Sequence, residues 1–218
     1  MTEEIMRRPI SARDTRWAAA CAGWLARRGI RPNTISIMSV VFAAAAGACF
    51  VWLGRTNALL PGVMLPLGAA LCIQLRLLCN LFDGMVAVEQ GQKTKSGEIF
   101  NELPDRFADA FILAGAGYVS SSLGWLNELG WTTAVLAVIT AYVRSLGAGV
   151  GAGQHFLGPM AKQHRMATMT ITCVVLSVTA AWPYRGELVA MGLGLIAAGS
   201  LVTIARRSVR IVRELESR

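Results

Sequence analysis

Two short runs of oxygen-bearing side chains carry the residues that could do chemistry. Asn80, Asp83, Gly84 and Ala87 fall at offsets of three, four and seven, so on a helix they line one side near its end. Asn101, Asp105 and Asp109 repeat every four residues and line a second helix. Oxygens from Asp and Asn suit hard divalent cations such as Mg²⁺. Gly84, Ala87 and Gly97 have little or no side chain, which lets a bulky phosphate come close to the backbone. Two such faces joined by a short connection imply metal-assisted phosphoryl chemistry.

The setting sharpens that reading. The stretch lies between one apolar run that ends near Cys79 and another that begins near Phe107. Ionisable groups at a membrane boundary are costly to keep and read as functional.

The elements that must position these residues follow from composition. In 218 residues, 54% are hydrophobic and 16% charged, with a mean hydropathy of +0.50, too apolar for an ordinary soluble domain of this size. An all-α integral membrane protein is expected, with six transmembrane helices. The spans are placed at about 33–53, 59–79, 107–123, 131–153, 166–182 and 188–205, each near the length needed to cross roughly 30 Å of hydrocarbon. Residues 1–32 carry seven arginines among apolar residues at helical intervals, which predicts an amphipathic helix on an anionic membrane surface. The charge that interrupts this segment excludes a secretory signal. The chain thus divides into an N-terminal juxtamembrane segment (1–32), one six-helix membrane domain (33–205) and a basic tail (206–218).

Arg55 and Arg185 are the basic residues on one face, while nearly all the others lie on the termini and the even-numbered loops. The positive-inside rule then puts both termini and the acidic stretch on the cytoplasmic side of an inner membrane. This bias accounts for the net charge of +8 without a nucleic-acid partner. The five cysteines are scattered through apolar segments with no C-x-x-C pair, so neither a disulfide framework nor a zinc site is expected. The acids cluster at one face and form no path across, which argues against a transporter. Two basic residues near the fourth and fifth spans, Arg144 and Arg165, and Lys162 between them form a second group. An Arg within a span calls for an anionic partner. Arg76, at the end of the second span, reads equally as a site residue or as a side chain snorkelling to the interface.

Residues 80–105 resemble the signature of the CDP-alcohol phosphotransferases, D-x-x-D-G-x-x-A-R-x8-G-x-x-x-D-x-x-x-D, with every spacing kept. Asp83, Gly84, Ala87, Gly97 and Asp105 match; Asn80 and Asn101 stand where the pattern has Asp, and Val88 where it has Arg. The entry Pro32-Asn33-x-x-Ser36 is also common in that family. The resemblance implies transfer of a phosphatidyl group from a CDP-activated lipid such as CDP-diacylglycerol to an alcohol acceptor, releasing CMP. Asn80, Asp83, Asn101 and Asp105 would be metal ligands for Mg²⁺ or Mn²⁺, and Asp105 the general base. Asp83, Gly84, Ala87 and Gly97 would bind the nucleotide. Arg144, Lys162 and Arg165 would hold a phosphorylated acceptor. A homodimer is likewise implied. Asn ligates through a neutral carbonyl, so the replacements predict weaker or fewer metal ions, unless Glu89, Glu98, Glu102 or Asp109 compensates. They also fit an inactive relative that binds CDP-lipid as a partner subunit.

Overall fold

The computed structural model describes residues 15–89, 97–119, 123–153 and 155–217, which form seven α-helices and no strand. They are α1 (Arg16–Arg27), α2 (Pro32–Leu53), α3 (Leu59–Glu89), α4 (Gly97–Ala116), α5 (Leu126–Gly149), α6 (Lys162–Val178) and α7 (Arg185–Glu216). Residues 1–14, the first part of the basic N-terminal segment, lie outside the described residues, as do the side chains of Glu89, Glu98 and Asn101.

Four helices, α2, α3, α5 and α7, are long and apolar enough to cross a membrane, which makes this an integral membrane protein. Their outer faces agree. Trp52, Leu60, Val135 and Met191 are each exposed by more than half, an arrangement suited to lipid rather than water. The sequence places the second span and the acidic residues in separate segments, whereas α3 runs unbroken from Leu59 through Asp83 to Glu89. Likewise α7 continues through the basic residues 206–216.

Pro32 stands at the start of α2, where its fixed φ and missing N–H suit a helix N-terminus. The helices then meet through small residues. A Cβ on Gly115 of α4 would lie 2.6 Å from the Gly47 Cα of α2, and one on Gly47 would lie 2.5 Å from the Phe111 carbonyl oxygen. Glycine at both positions lets two backbones touch, as close membrane helices require. The main core joins Ala43, Phe50, Ile73, Ile112, Met169 and Leu193, drawn from five helices.

α1 lies across the end of α3. Ala18 and Ala22 are buried, Trp17 and Trp24 are half exposed, and the Trp17 ring meets Phe82 edge-on with centroids 6.1 Å apart. Ala22, Ile35 and Val86 form a small second core there, directly behind the acidic stretch.

Candidate active site

The C-terminal end of α3 brings Asn80 and Asp83 to one side, one turn apart, and α4 brings Asp105 against them. Asn80 donates its amide N–H to Asp105 Oδ1. A carboxylate only accepts, so the amide nitrogen faces Asp105 and Asn80 Oδ1 faces away; that oxygen is buried and has no hydrogen-bond partner. Asp83 is 6% exposed and Asp105 7%. Gly84 and Ala87 are half-buried beside Asp83, Gly97 begins α4, and Val88 points away from the core at 57% exposure.

Ser36, one turn into α2, holds Asp83. Its hydroxyl donates to Asp83 Oδ2 at 2.8 Å, while Asp83 Oδ1 accepts from the Gly84 backbone N–H at 2.6 Å. Ser36 itself is buried. Sequence reasoning read it only as part of a helix entry; the family's recurring Ser or Thr at that position was the available signal.

Beneath Asp105 lies a fully buried set of charges. Arg76 Nη2 donates to Asp109 Oδ1 at 2.9 Å and reaches Asp105 Oδ1 at 3.4 Å, and Arg165 Nη2 donates to Asp109 Oδ2 at 2.6 Å. Arg165 Nη1 also donates to the Met160 carbonyl at 3.0 Å. Arg76 and Asp109 are 0% exposed. Arg76 therefore does not snorkel; it is a structural cation under the site. Asp109 is turned onto two guanidiniums, away from any role as a replacement metal ligand.

Of the second basic group, Lys162 opens α6 and its ammonium donates to Asp105 Oδ2 at 2.5 Å. Arg144 of α5 donates to Glu102 Oε1 at 2.5 Å and sits 5.4 Å from the Phe156 ring centroid. Arg106 takes Glu102 Oε2. Burial alone would raise the Glu102 carboxyl, yet Arg144 and Arg106 hold it below its ordinary range, so it stays ionised and paired. Glu102 precedes the apolar part of α4 and has both oxygens occupied by guanidiniums. Arg144, Lys162 and Arg165 thus reach the site through three different acids: Glu102, Asp105 and Asp109.

A divalent cation fits this donor set in a limited way. Among the described residues no group of three His, Cys, Asp or Glu is placed to hold a metal. The oxygens on offer are those of Asp83, which accept from Ser36 and the Gly84 amide, those of Asp105, which accept from Asn80 and Lys162, and the unpartnered carbonyl of Asn80. They are hard ligands, and an orphaned buried carbonyl is the atom a cation would satisfy.

No family model matches the chain. A phosphatidylinositol phosphate synthase of Streptomyces avermitilis is 24% identical over 212 residues, covering 92% of this chain and 80% of that protein. An uncharacterized protein of Aquifex aeolicus is 26% identical over 191 residues, covering 86% and 85%. Among solved structures, Mycobacterium tuberculosis phosphatidylinositol phosphate synthase with CDP-DAG bound superposes with a TM-score of 0.71 at 17% identity, over 90% of this chain and 94% of that one. The same enzyme in complex with manganese and citrate gives 0.73 at 18%, over 89% and 88%. In sequence, at 24% identity, and in fold the chain is similar to phosphatidylinositol phosphate synthases.

Proposed function

We propose that this chain is a CDP-alcohol phosphatidyltransferase of phospholipid biosynthesis, moving a phosphatidyl group from a CDP-activated lipid to an alcohol acceptor with release of CMP. The observation that carries the reading is Asp105 of α4 bonded to Asn80 of α3 and to the ammonium of Lys162, with Asp83 one turn further along α3 within the same electrostatic field. It is supported by the fold shared with an enzyme whose structure holds CDP-DAG. Nothing in the site favours the inactive-partner reading beyond the replaced residues themselves.

Each residue then has a task. A divalent cation, Mg²⁺ or Mn²⁺, held by Asn80 Oδ1, Asp83 and Asp105, would supply neutralisation of the diphosphate's charge. Asp83 is kept in position by Ser36 and by the Gly84 amide. Gly84, Ala87 and Gly97 leave room for the nucleotide's phosphates. Asp105 accepts the acceptor's proton, its carboxylate oriented by Asn80, Lys162 and Arg76. The acceptor oxygen bonds to the β-phosphorus, the bond to the CMP oxygen breaks, and CMP leaves with that electron pair. Arg144 and Lys162 supply positive charge on the acceptor's side, which favours a phosphorylated alcohol, while Arg165 is buried and held by Asp109 and the Met160 carbonyl.

In this reading α4 and α6 also cross the bilayer, giving six spans. Both contribute to the shared core and present Phe107, Phe111, Ile171 and Val178 outward. Seventeen residues of α6 reach about 26 Å, near the hydrocarbon thickness. α1 lies in the interface as an amphipathic cover over α3, and both termini and the site face the cytoplasm, as the basic residues require. The protein works as a homodimer, as the family resemblance implies.

The test is CMP release by the purified protein in detergent, with CDP-diacylglycerol, Mg²⁺ or Mn²⁺, and a panel of free and phosphorylated acceptors. Metal-dependent release that disappears in Asp83→Asn and in Asp105→Asn is expected. Absence of release with every acceptor would overturn the reading.

A further inference from the structure

Two carboxylates of the family pattern are missing at positions 80 and 101, and their loss removes two negative charges, the charge of one divalent ion. The geometry around Asp105 indicates what has taken up the difference. An Asp at position 80 would bring a second carboxylate against Asp105 and would need a cation between them. Asn80 instead donates an N–H directly to Asp105 Oδ1. On the other carboxylate oxygen, Lys162 Nζ stands at 2.5 Å, and the same ammonium acts electrostatically on Asp83. Both oxygens of Asp105 are therefore engaged by donors that belong to the chain.

The positive charge is also fixed in place. Lys162 is the first residue of α6, and Arg165, one turn later on the same helix, is locked to Asp109 and to the Met160 carbonyl. Arg76 closes the other side of Asp109. Asp105 and Asp109 are paired with Arg76, Lys162 and Arg165, and Lys162 also acts on Asp83, so these three acids and three cations balance in formal charge before any metal is added. A second divalent ion on Asp105 would have to displace the Lys162 ammonium and the Asn80 amide from the two oxygens they already occupy.

Resting on the transferase reading above, we propose that the Lys162 ammonium, with the Asn80 amide, permanently replaces one divalent cation, so that this site takes a single metal ion per chain. Asn80 Oδ1 and Asp83 would hold the remaining ion, and Lys162 would meet the donor's diphosphate in the place of the missing one. Lys162 is then a binding residue for the donor's diphosphate and not only for an acceptor.

The experiment counts metal ions. Full-length protein in detergent with CDP-diacylglycerol is titrated with Mn²⁺, and free Mn²⁺ is followed by electron paramagnetic resonance. One ion per chain is expected for the wild type. Lys162→Gln should tighten Mn²⁺ binding about tenfold or more. Asn80→Asp/Asn101→Asp/Lys162→Gln should take up two ions. Arg144→Gln, which removes a nearby charge of the same sign from the acceptor side, should leave the count at one. Two ions in the wild type, or none, would overturn the proposal. So would Lys162→Gln with unchanged Mn²⁺ affinity and only a raised KM for a phosphorylated acceptor. Thermal melts of each variant separate a lost ion from a lost fold; if the triple variant unfolds, the Lys162→Gln affinity decides alone. A count of one with no CMP release would leave the single-ion site standing and remove the transferase reading.

Discussion

Arg76 and Asp109 form an ion pair in which both side chains are fully buried, 2.9 Å apart, and Arg165 closes the other oxygen of the same carboxylate. Taking one member out of such a set leaves charges stranded in a low-dielectric interior. Asp109→Ala should therefore cost about 3 kcal/mol or more, because two guanidiniums lose their shared partner. In a chain of this size that is a fall in Tm of roughly 6–12 °C, readable from the loss of the monodisperse peak on heating in detergent. A Tm within 2 °C or so of the wild type would show that the pair is not what holds α3 to α4.

Asp83 and Asp105 differ in what surrounds them, and their variants should differ accordingly. Asp105→Asn removes the proton acceptor and should lower kcat by about 10²-fold or more, within the usual range for a general base. Ser36→Ala leaves the Asp83 carboxylate in place but unanchored on one oxygen. A drop of roughly tenfold in kcat/KM is expected, matching about 1.4 kcal/mol for one hydrogen bond to a charged group. Assay of CMP release with both variants side by side distinguishes them; equal losses would mean that Ser36 does more than orient Asp83.

Much of the architecture was legible from the sequence, and the reasons are local. Apolar runs bounded by Arg55 and by Pro183 mark helix ends that the structure keeps within a few residues, whereas Asn127 and Glu128, expected in a turn before a span at Trp131, lie in the first turn of α5. The four-residue repeat of Asn101, Asp105 and Asp109 put them on one face of α4, and Asp105 and Asp109 do share the Arg76 side chain. Pairings between distant segments were not legible. Nothing in the spacing says that Asp109 serves two arginines 33 and 56 residues away, or that Ser36 reaches Asp83 across 47 residues. Glu102, within one helical turn of Asn101 and Asp105, reads from the sequence as a candidate to take over a metal-ligand role. Glu102 instead turns to Arg106 and Arg144.

Close backbone contact between α2 and α4 gives a test independent of chemistry. A Cβ at Gly115 would meet the Gly47 Cα at 2.6 Å and its carbonyl oxygen at 2.9 Å, and backbone atoms cannot move aside cheaply. Gly115→Ala should destabilise the fold by roughly 1–3 kcal/mol, as overpacking does, and pull Asp105 away from α3. The expected signature is a lower Tm together with weaker donor binding. Gly194→Ala, where a Cβ meets nothing within 4 Å, should be silent in both measurements.

Glu102 decides between two assignments for the same corner of the site. It occupies Arg144 through one oxygen and Arg106 through the other, and it lies only partly exposed. If its task is to hold Arg144 ready, Glu102→Gln weakens that hold and leaves Arg144 freer to meet an acceptor's phosphate. KM for a phosphorylated acceptor should then fall or stay level, Mn²⁺ affinity should stay within about twofold, and Arg144→Gln should raise the same KM by roughly tenfold, the loss of one charge-assisted contact. A metal ligand would behave in the opposite way. Glu102→Gln would then weaken Mn²⁺ binding by about tenfold or more, and Arg144→Gln would leave acceptor KM untouched. Isothermal titration with Mn²⁺, run beside acceptor kinetics on the two variants, separates these outcomes because each assignment moves a different one of the two readings.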